Sequence, residues 1–210
     1  FNDISGIETV QILRYAARMA LYDFERQMNP IMERGGLAWS CLWDGFPGTG
    51  KTSLLKVGKT RLHERMEQIQ GAWAQYGQLW EWIVLDDRFK DEFYGKSGKN
   101  FRAELEKAAN PRMLHWIEWE DIDLWMEDRD NTTGGAGKDL LNIGMQFLDG
   151  GGTVVRGNAL NNATTNEPTG LDNALRQRFH IRFDASGPET WYHFADLLKI
   201  KLKPLIAGGK

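Results

Sequence analysis

The sequence predicts an α/β fold in which a mostly parallel, five-stranded sheet is sandwiched by helices. Short apolar runs alternate with longer amphipathic segments along the 210 residues, and this alternation is typical of parallel strands joined by helices. A glycine-rich turn at residues 45–52 separates the first apolar run from a helical segment. The composition, with 41% hydrophobic and 26% charged residues, is sufficient to bury one core of this size.

Each element is predicted from its local pattern. The first helix is predicted from an apolar stripe at helical spacing, formed by Val10, Leu13, Ala17, Leu21 and Phe24. Apolar runs predict strands at 37–43, 80–86 and 113–117, a weak strand within 153–165, and a last strand at 179–183. Further helices are predicted from the glycine-rich turn to Gln70, over 101–108 and 140–148, around 171–176, and over 191–202.

The turn at 45–52 fits the pattern G-x-x-x-x-G-K-[ST], a phosphate-binding P-loop, and so predicts the P-loop NTPase fold. Backbone N–H groups in such a turn point at phosphate oxygens, and the dipole of the following helix favours an anion. The residues expected to bind ATP are Pro47, Gly48, Thr49, Gly50, Lys51, Thr52 and Ser53. Lys51 is expected to reach the β- and γ-phosphates, and Thr52 to ligate Mg²⁺. ATP and Mg²⁺ are therefore the predicted ligands.

Two carboxylates follow the third predicted strand. An NTPase needs such groups at a strand tip beside the P-loop, where they hold Mg²⁺ and orient the attacking water. Glu120 is the expected Mg²⁺ ligand and Asp121 the expected water-orienting base. The alternative is that this segment is only a solvated acidic loop.

Charge and cysteine content limit the expected partners and location. The net charge of −3 makes a nucleic-acid partner unexpected. The single cysteine, Cys41, cannot form an internal disulfide and suits a reducing compartment. Neither a membrane-spanning segment nor a signal peptide is recognisable. We expect an intracellular, cytoplasmic protein. The alternatives are an organelle matrix and a membrane tether through a missing segment, since the chain is expected to be a piece of a longer one.

The motifs together resemble the AAA (AAA+) ATPases over nearly the whole chain. Besides the P-loop, residues 120–123 resemble the family's Walker B motif, and residues 164–168 and 171–179 resemble its second region of homology. Residues 1–8 resemble the family's opening segment, which contacts adenine; this implies that Asp3, Ile4 and Gly6 bind ATP. The resemblance implies a nucleotide-binding subdomain over 1–187 and the start of a largely missing helical lid over 188–210.

The resemblance also implies roles for residues outside the P-loop. Asn166 matches sensor 1, which helps place the attacking water, and Arg178 matches an arginine finger that acts on a neighbouring subunit. Arg176 is a second candidate finger; the Arg-Phe pattern lacks a Pro-Gly insertion and so resembles the katanin/spastin branch, although Gln177 occupies the adjacent position. These matches imply a ring, of six identical or homologous subunits.

A loop with two aromatic residues is expected to contact substrate. Phe93, Tyr94 and Gly95 fall where protein-threading members of the family carry pore loop 1, although the two aromatics could instead anchor the loop to the core. The resemblance thus implies an ATP-hydrolysing ring that remodels or threads a protein substrate. The alternatives are an ATP-binding scaffold with weak hydrolysis and a nucleic-acid remodeller.

Some residues depart from the family pattern. The usual Walker B order is Asp then Glu, whereas here Glu120 precedes Asp121. A base shorter by one methylene, about 1.5 Å, predicts slow hydrolysis. Glu118, Asn161 and Asn162 stand in presumed strands where apolar residues are expected; either they have local partners or the recorded sequence is wrong there.

Overall fold

The computed structural model describes residues 7–31, 39–89, 96–126, 135–150 and 157–207. Five parallel strands form one sheet in the order β2-β3-β4-β1-β5, which confirms the predicted fold class. The strands are β1 (Ser40–Asp44), β2 (Trp80–Leu85), β3 (Leu114–Trp119), β4 (Ala159–Thr165) and β5 (Ile181–Asp184). The helices are α1 (Ile7–Met19), α2 (Lys51–Gln70), α3 (Lys96–Lys107), α4 (Gly135–Leu148), α5 (Asn173–Gln177) and α6 (Trp191–Ala207).

Helices cover both faces of the sheet, so the protein has two apolar layers. On one face, α1 and α2 pack against the sheet through residues such as Ile12, Leu55 and Leu62. On the other face, α3, α4 and α5 contribute residues such as Phe101 and Leu141. Strands covered on both sides are expected for a parallel sheet joined by helices.

The apolar stripe from which α1 is predicted is only partly buried in the structure. Val10 is 46% exposed and Leu21 is 54% exposed, whereas Ile12, Tyr15 and Met19 are buried. The helix ends at Met19, so Leu21 and Phe24 lie beyond it and do not share a helical face with Val10. The buried face of α1 is formed by Ile12, Tyr15 and Met19, which belong to the same apolar cluster as Leu55 and Leu62 of α2.

Strand β4 lies between β3 and β1, and all seven of its residues are buried. Its sequence gives only a weak strand signal because Asn161 and Asn162 occupy central positions. These amides have partners in the neighbouring strands. The indole Nε1 of Trp119 donates to Asn161 Oδ1 at 3.0 Å, and that of Trp43 donates to Asn162 Oδ1 at 3.2 Å.

Glu118 also has local partners, although it is only 4% exposed. Lys59 Nζ from α2 lies 3.0 Å from Glu118 Oε1, and Trp116 Nε1 donates to the same oxygen at 2.8 Å. A buried carboxylate is tolerated when it is paired and hydrogen-bonded. Local partners, the first of the two explanations for these unexpected polar residues, therefore account for Glu118 and Asn161. Asn162 is paired only through its Oδ1, because its buried Nδ2 has no hydrogen-bond partner among the described residues.

Helix α6 forms as expected, but its apolar stripe faces away from the described part of the chain. Trp191 is 73% exposed, Phe194 55% and Leu198 59%. Among the described residues, none of the helices is both long and apolar enough to cross a bilayer.

Candidate nucleotide site

Three groups of sequence-predicted site residues meet at the carboxyl edge of the sheet. The P-loop follows β1, Glu120 and Asp121 follow β3, and Asn166 follows β4. Since β4 lies between β3 and β1, the parallel topology brings three chain segments together that are far apart in sequence. Ligands of open α/β sheets bind outside the carboxyl ends of the strands.

The P-loop is a tight turn that leads directly into α2. Gly45 must be glycine, because a Cβ atom there would overlap the carbonyl oxygen of Ala185. Gly48 and Gly50 have φ values of 82° and 95°, in the region that favours glycine. Pro47 lies in the same turn, and Thr49 Oγ1 donates to Phe46 O at 2.9 Å, which closes the turn on itself.

Residues of the first turn of α2 carry the remaining P-loop groups. Gly50 is the N-cap, and the helix begins at Lys51. Thr52 and Ser53 are exposed on this turn, so their hydroxyl groups are accessible. The unpaired N–H groups of a helix start carry partial positive charge, and this end of α2 is therefore suited to an anion.

The Lys51 ammonium group links the P-loop to β4. Its Nζ atom donates to Gly45 O at 2.7 Å, to Phe46 O at 3.1 Å and to Asn166 Oδ1 at 2.8 Å. Burial lowers the pKa of Lys51, while the negative charges of Asp121, Asp123 and Asp44 oppose that shift. Lys51 thus lies near Asp121 and Asp123, which follow β3, but among the described residues it forms no direct ion pair with either of them.

The hydrogen bonds continue from Asn166 to the end of β3. Asn166 Nδ2 donates to Asp121 Oδ1 at 3.1 Å, and the backbone N–H of Asn166 donates to Asp123 Oδ1 at 3.1 Å. The backbone N–H of Asp121 donates to Thr164 Oγ1 at 2.9 Å. Lys51, Asn166 and Asp121 therefore form one connected chain of polar groups.

Glu120 lies toward the β2 side of this edge. Burial raises the pKa of Glu120, and the nearby charges of Glu118, Asp86 and Asp121 raise it further, while Lys59 lowers it. Such crowding of negative charge favours a bound cation. In the described ranges, no group of three or more His, Cys, Asp or Glu side chains converges as a metal site. Mg²⁺ in NTPases is typically held by one or two protein oxygens together with phosphates. The Thr52 hydroxyl and the Glu120 carboxylate supply oxygen atoms of this type.

The two candidate arginine fingers lie outside this cluster. Arg178 Nε donates to Asp149 Oδ2 at 2.8 Å, and its Nη1 donates to Ala174 O at 2.8 Å. The Arg178 carbonyl oxygen accepts from Ser40 Oγ, at the first residue of β1. Arg178 is therefore at the amino edge of the sheet, about 13 Å of strand away from the P-loop.

Arg176 has a different environment. Its Nη2 donates to Asn173 Oδ1 at 3.0 Å. Burial and the negative charge of Asp184 raise the pKa of Asp44, and the positive charge of Arg176 is one of several that oppose this shift. Arg176 is thus near the carboxyl end of β1, whereas Arg178 lies at the opposite edge of the sheet.

Two sets of expected residues lie outside the described residues. They are the adenine-contacting residues Asp3, Ile4 and Gly6, and the pore-loop residues Phe93, Tyr94 and Gly95.

Sequence reasoning did not assign Thr164 or Asp123 to the site. Both accept hydrogen bonds from the backbone of site residues. The available signal was positional: Thr164 precedes Asn166 by two residues, and Asp123 follows Asp121 by two. Thr164 and Asn166 stand two residues apart at the end of β4, where such spacing places side chains on the same face of a strand. Asp121 and Asp123 instead lie in a left-handed residue and a short 3-10 helix, so only the folded structure shows which N–H groups Thr164 and Asp123 meet.

Comparison with protein-family models gives a match over most of the chain. A protein-family model described as "ATPase family associated with various cellular activities (AAA)" matches residues 41–186. A search of curated proteins found no match. The matched segment begins in β1 and extends just past β5, so it contains the P-loop, the end of β3 and Asn166.

Proposed function

The chain belongs to the AAA ATPase family, and from this premise we propose that it binds ATP with Mg²⁺ and hydrolyses it as one subunit of a ring. The observation that carries this proposal is the hydrogen-bonded chain from Lys51 through Asn166 to Asp121. It places a cation, a neutral amide and a carboxylate in sequence beside the P-loop. These are the group types that bind phosphates, position a water and accept its proton.

Each residue has a specific role in this proposal. The N–H groups of the P-loop and the Lys51 ammonium hold the phosphates, with Pro47, Gly48, Thr49, Gly50 and Ser53 forming the cradle. Asn166 orients the attacking water, and Asp121 accepts its proton. Thr52 and Glu120 would hold Mg²⁺, which neutralises phosphate charge. Asp3, Ile4 and Gly6 contact adenine.

Arg178 serves the pocket of the adjacent subunit. Its position at the amino edge of the sheet, about 13 Å of strand from its own P-loop, supports action in trans. A guanidinium that reaches the transferring phosphoryl group stabilises its charge and can accelerate hydrolysis by several powers of ten. To do so, Arg178 must release Asp149, which it contacts within its own chain. Arg176 is the second candidate for this role.

Mixing two inactive variants tests the proposed function. Lys51→Ala should lose nucleotide affinity, while Arg178→Ala should retain affinity and lose phosphate release. In an equimolar mixture, the intact Arg178 of a Lys51→Ala subunit can complete the pocket of an Arg178→Ala neighbour. Phosphate release should therefore recover to a measurable fraction of the wild-type rate, since only some of the interfaces pair correctly.

Native mass spectrometry of the same mixture reports whether both variants enter one assembly. Mixed assemblies without recovered phosphate release would contradict action in trans. A wild-type ring that binds ATP and never releases phosphate would contradict hydrolysis altogether. The second candidate, an ATP-binding scaffold with weak hydrolysis, would then be favoured, as the short Asp121 side chain already suggests.

We further propose that the ring remodels or threads a protein substrate, with Phe93, Tyr94 and Gly95 as the loop that contacts it. An exposed aromatic loop can contact an extended polypeptide without reading its sequence. The net charge of −3 disfavours a nucleic-acid substrate. A nucleotide-binding subdomain over 1–187, the start of a helical lid over 188–210, and an intracellular location belong to the same proposal.

A further inference from the structure

The ends of β3 and β4 are joined by two side-chain hydrogen bonds in opposite directions. Thr164 of β4 accepts from the backbone N–H of Asp121 at 2.9 Å. Asp123, beyond β3, accepts from the backbone N–H of Asn166 at 3.1 Å. The regular backbone pairing of these strands ends at Trp119 and Ala163, so these two bonds continue the connection past the last ladder position.

Asp121 has an unusual backbone conformation at this point. Its φ and ψ angles are 41° and 55°, in the left-handed region that non-glycine residues seldom adopt. Such a conformation persists only where surrounding contacts hold it. The acceptor for its N–H is the hydroxyl of Thr164, a residue that is only 2% exposed, so the acceptor is itself firmly placed.

The left-handed conformation determines where the Asp121 carboxylate points. From it, Asp121 Oδ1 accepts from Asn166 Nδ2 at 3.1 Å, and Asn166 Oδ1 accepts from Lys51 Nζ at 2.8 Å. The aspartate side chain is one methylene shorter than that of glutamate, so its carboxylate reaches less far. The backbone of Asp121 must therefore lie closer to the water that the carboxylate is to contact. The hydrogen bonds to Thr164 and Asp123 hold the backbone N–H groups of Asp121 and Asn166, respectively.

We infer that Thr164 and Asp123 are positioning residues for hydrolysis: they hold the backbone of Asp121 and Asn166 so that the short carboxylate meets the water. This inference rests on the proposed ATPase function, and it adds two residues to the site. Thr164 acts through a neutral hydroxyl, whereas Asp123 also contributes negative charge that raises the pKa of Lys51. The two residues should therefore respond differently to conservative substitution.

The test compares Thr164→Val, which keeps the shape and removes the acceptor, with Thr164→Ser, which keeps the hydroxyl. We expect Thr164→Val to lower kcat about 10- to 100-fold with nucleotide affinity changed less than about twofold, and Thr164→Ser to restore most of the rate. Thr165→Val is the matched control, because Thr165 accepts from the N–H of Glu167 and has no bond to Asp121. An equal loss of kcat in Thr165→Val would overturn the inference.

Asp123 is tested by Asp123→Asn and Asp123→Ala. An asparagine Oδ1 can still accept from the Asn166 N–H, so Asp123→Asn should retain clearly more activity than Asp123→Ala. Equal losses in the two variants would contradict a positioning role through this hydrogen bond.

A measurement without nucleotide separates this inference from the proposed function. Amide hydrogen exchange by NMR should show the Asp121 N–H exchanging at least about fivefold faster in Thr164→Val than in wild type, and unchanged in Thr165→Val. Unchanged exchange in Thr164→Val would overturn the inference whether or not the wild type hydrolyses ATP. Faster exchange together with an inactive wild type would leave the bond established and contradict the proposed function instead.

Discussion

At the scale of single residues, the site is controlled by how negative charge is distributed at the end of β3. Asp121 and Asp123 act on Lys51, whereas Glu120 is surrounded by Glu118, Asp86 and Asp121. Lys59 compensates part of that repulsion and is itself paired with Glu118. Glu120 is consequently a destabilised carboxylate that gains from a bound cation or a proton.

The raised pKa of Glu120 predicts a pH-dependent contribution to stability. The folded state binds this proton more tightly than the unfolded chain, so stability falls as pH rises from the ordinary carboxyl range through the raised pKa. Glu120→Gln should therefore raise the melting temperature at pH 7 by a few degrees at most, because the group is only half-buried. The difference in melting temperature between Glu120→Gln and wild type should vanish near pH 4. The measurement is made without Mg²⁺ and nucleotide.

Glu106→Gln on the exposed face of α3 serves as the control for this measurement. It removes one negative charge of the same type at a position that is exposed. The raised pKa of Glu120 would be contradicted if wild type were more stable than Glu120→Gln at pH 7. It would also be contradicted if the difference in melting temperature between the two were the same at every pH.

At the scale of secondary structure, the central strands depend on tryptophan paired with polar side chains. Trp119 lies opposite Ala163, and Trp43 lies opposite Thr164. The amide that accepts each indole N–H is in both cases two residues earlier on β4. The same diagonal spacing recurs on the two faces of the sheet, since Trp119 belongs to the α3–α4 layer and Trp43 to the α1–α2 layer.

A double-substitution cycle tests this pairing. Asn161→Leu leaves the indole N–H of Trp119 without its acceptor, and Trp119→Phe leaves the Asn161 oxygen without its donor. Each should cost about 2–3 kcal/mol of unfolding free energy, measured by urea denaturation. Combining Trp119→Phe with Asn161→Leu should cost less than the sum by at least about 1 kcal/mol, because both partners are then removed.

Trp116→Phe combined with Asn161→Leu is the matched control. Trp116 donates to Glu118 rather than to Asn161, and it lies in the α1–α2 layer. Its cost should simply add to that of Asn161→Leu. Additive behaviour of the Trp119 pair would mean that its hydrogen bond contributes little to stability.

At the scale of the whole molecule, the candidate site residues occupy two opposite edges of one sheet. The phosphate-binding and carboxylate groups lie at the carboxyl edge, and Arg178 lies at the amino edge with Ser40 and Asp149. Subunits packed so that one edge faces the other would combine both sets of groups in one pocket. Under the proposed function, a single chain is therefore expected to be a poor catalyst by itself.

The proposed contact with substrate predicts the behaviour of a pore-loop variant. Phe93→Ala should abolish unfolding of a tagged fluorescent test protein by the assembled ring, with ATP affinity unchanged, because the variant removes only the aromatic contact. Tyr192→Ala, which removes an exposed aromatic residue of α6, should leave unfolding intact. Continued unfolding by Phe93→Ala would contradict the pore-loop assignment.

The sequence by itself determined the fold class, the order of strands and helices, and the P-loop, because these depend on local periodicity and on a glycine pattern that only one turn geometry satisfies. The tertiary structure decided which residues of α1 are buried, which partners Glu118, Asn161 and Asn162 have, and which N–H groups Thr164 and Asp123 accept from. They depend on which strands are neighbours and in what register, and that information is spread over residues more than forty positions apart. Local patterns therefore identified the P-loop, whereas the surroundings of the proposed catalytic residues required the assembled sheet.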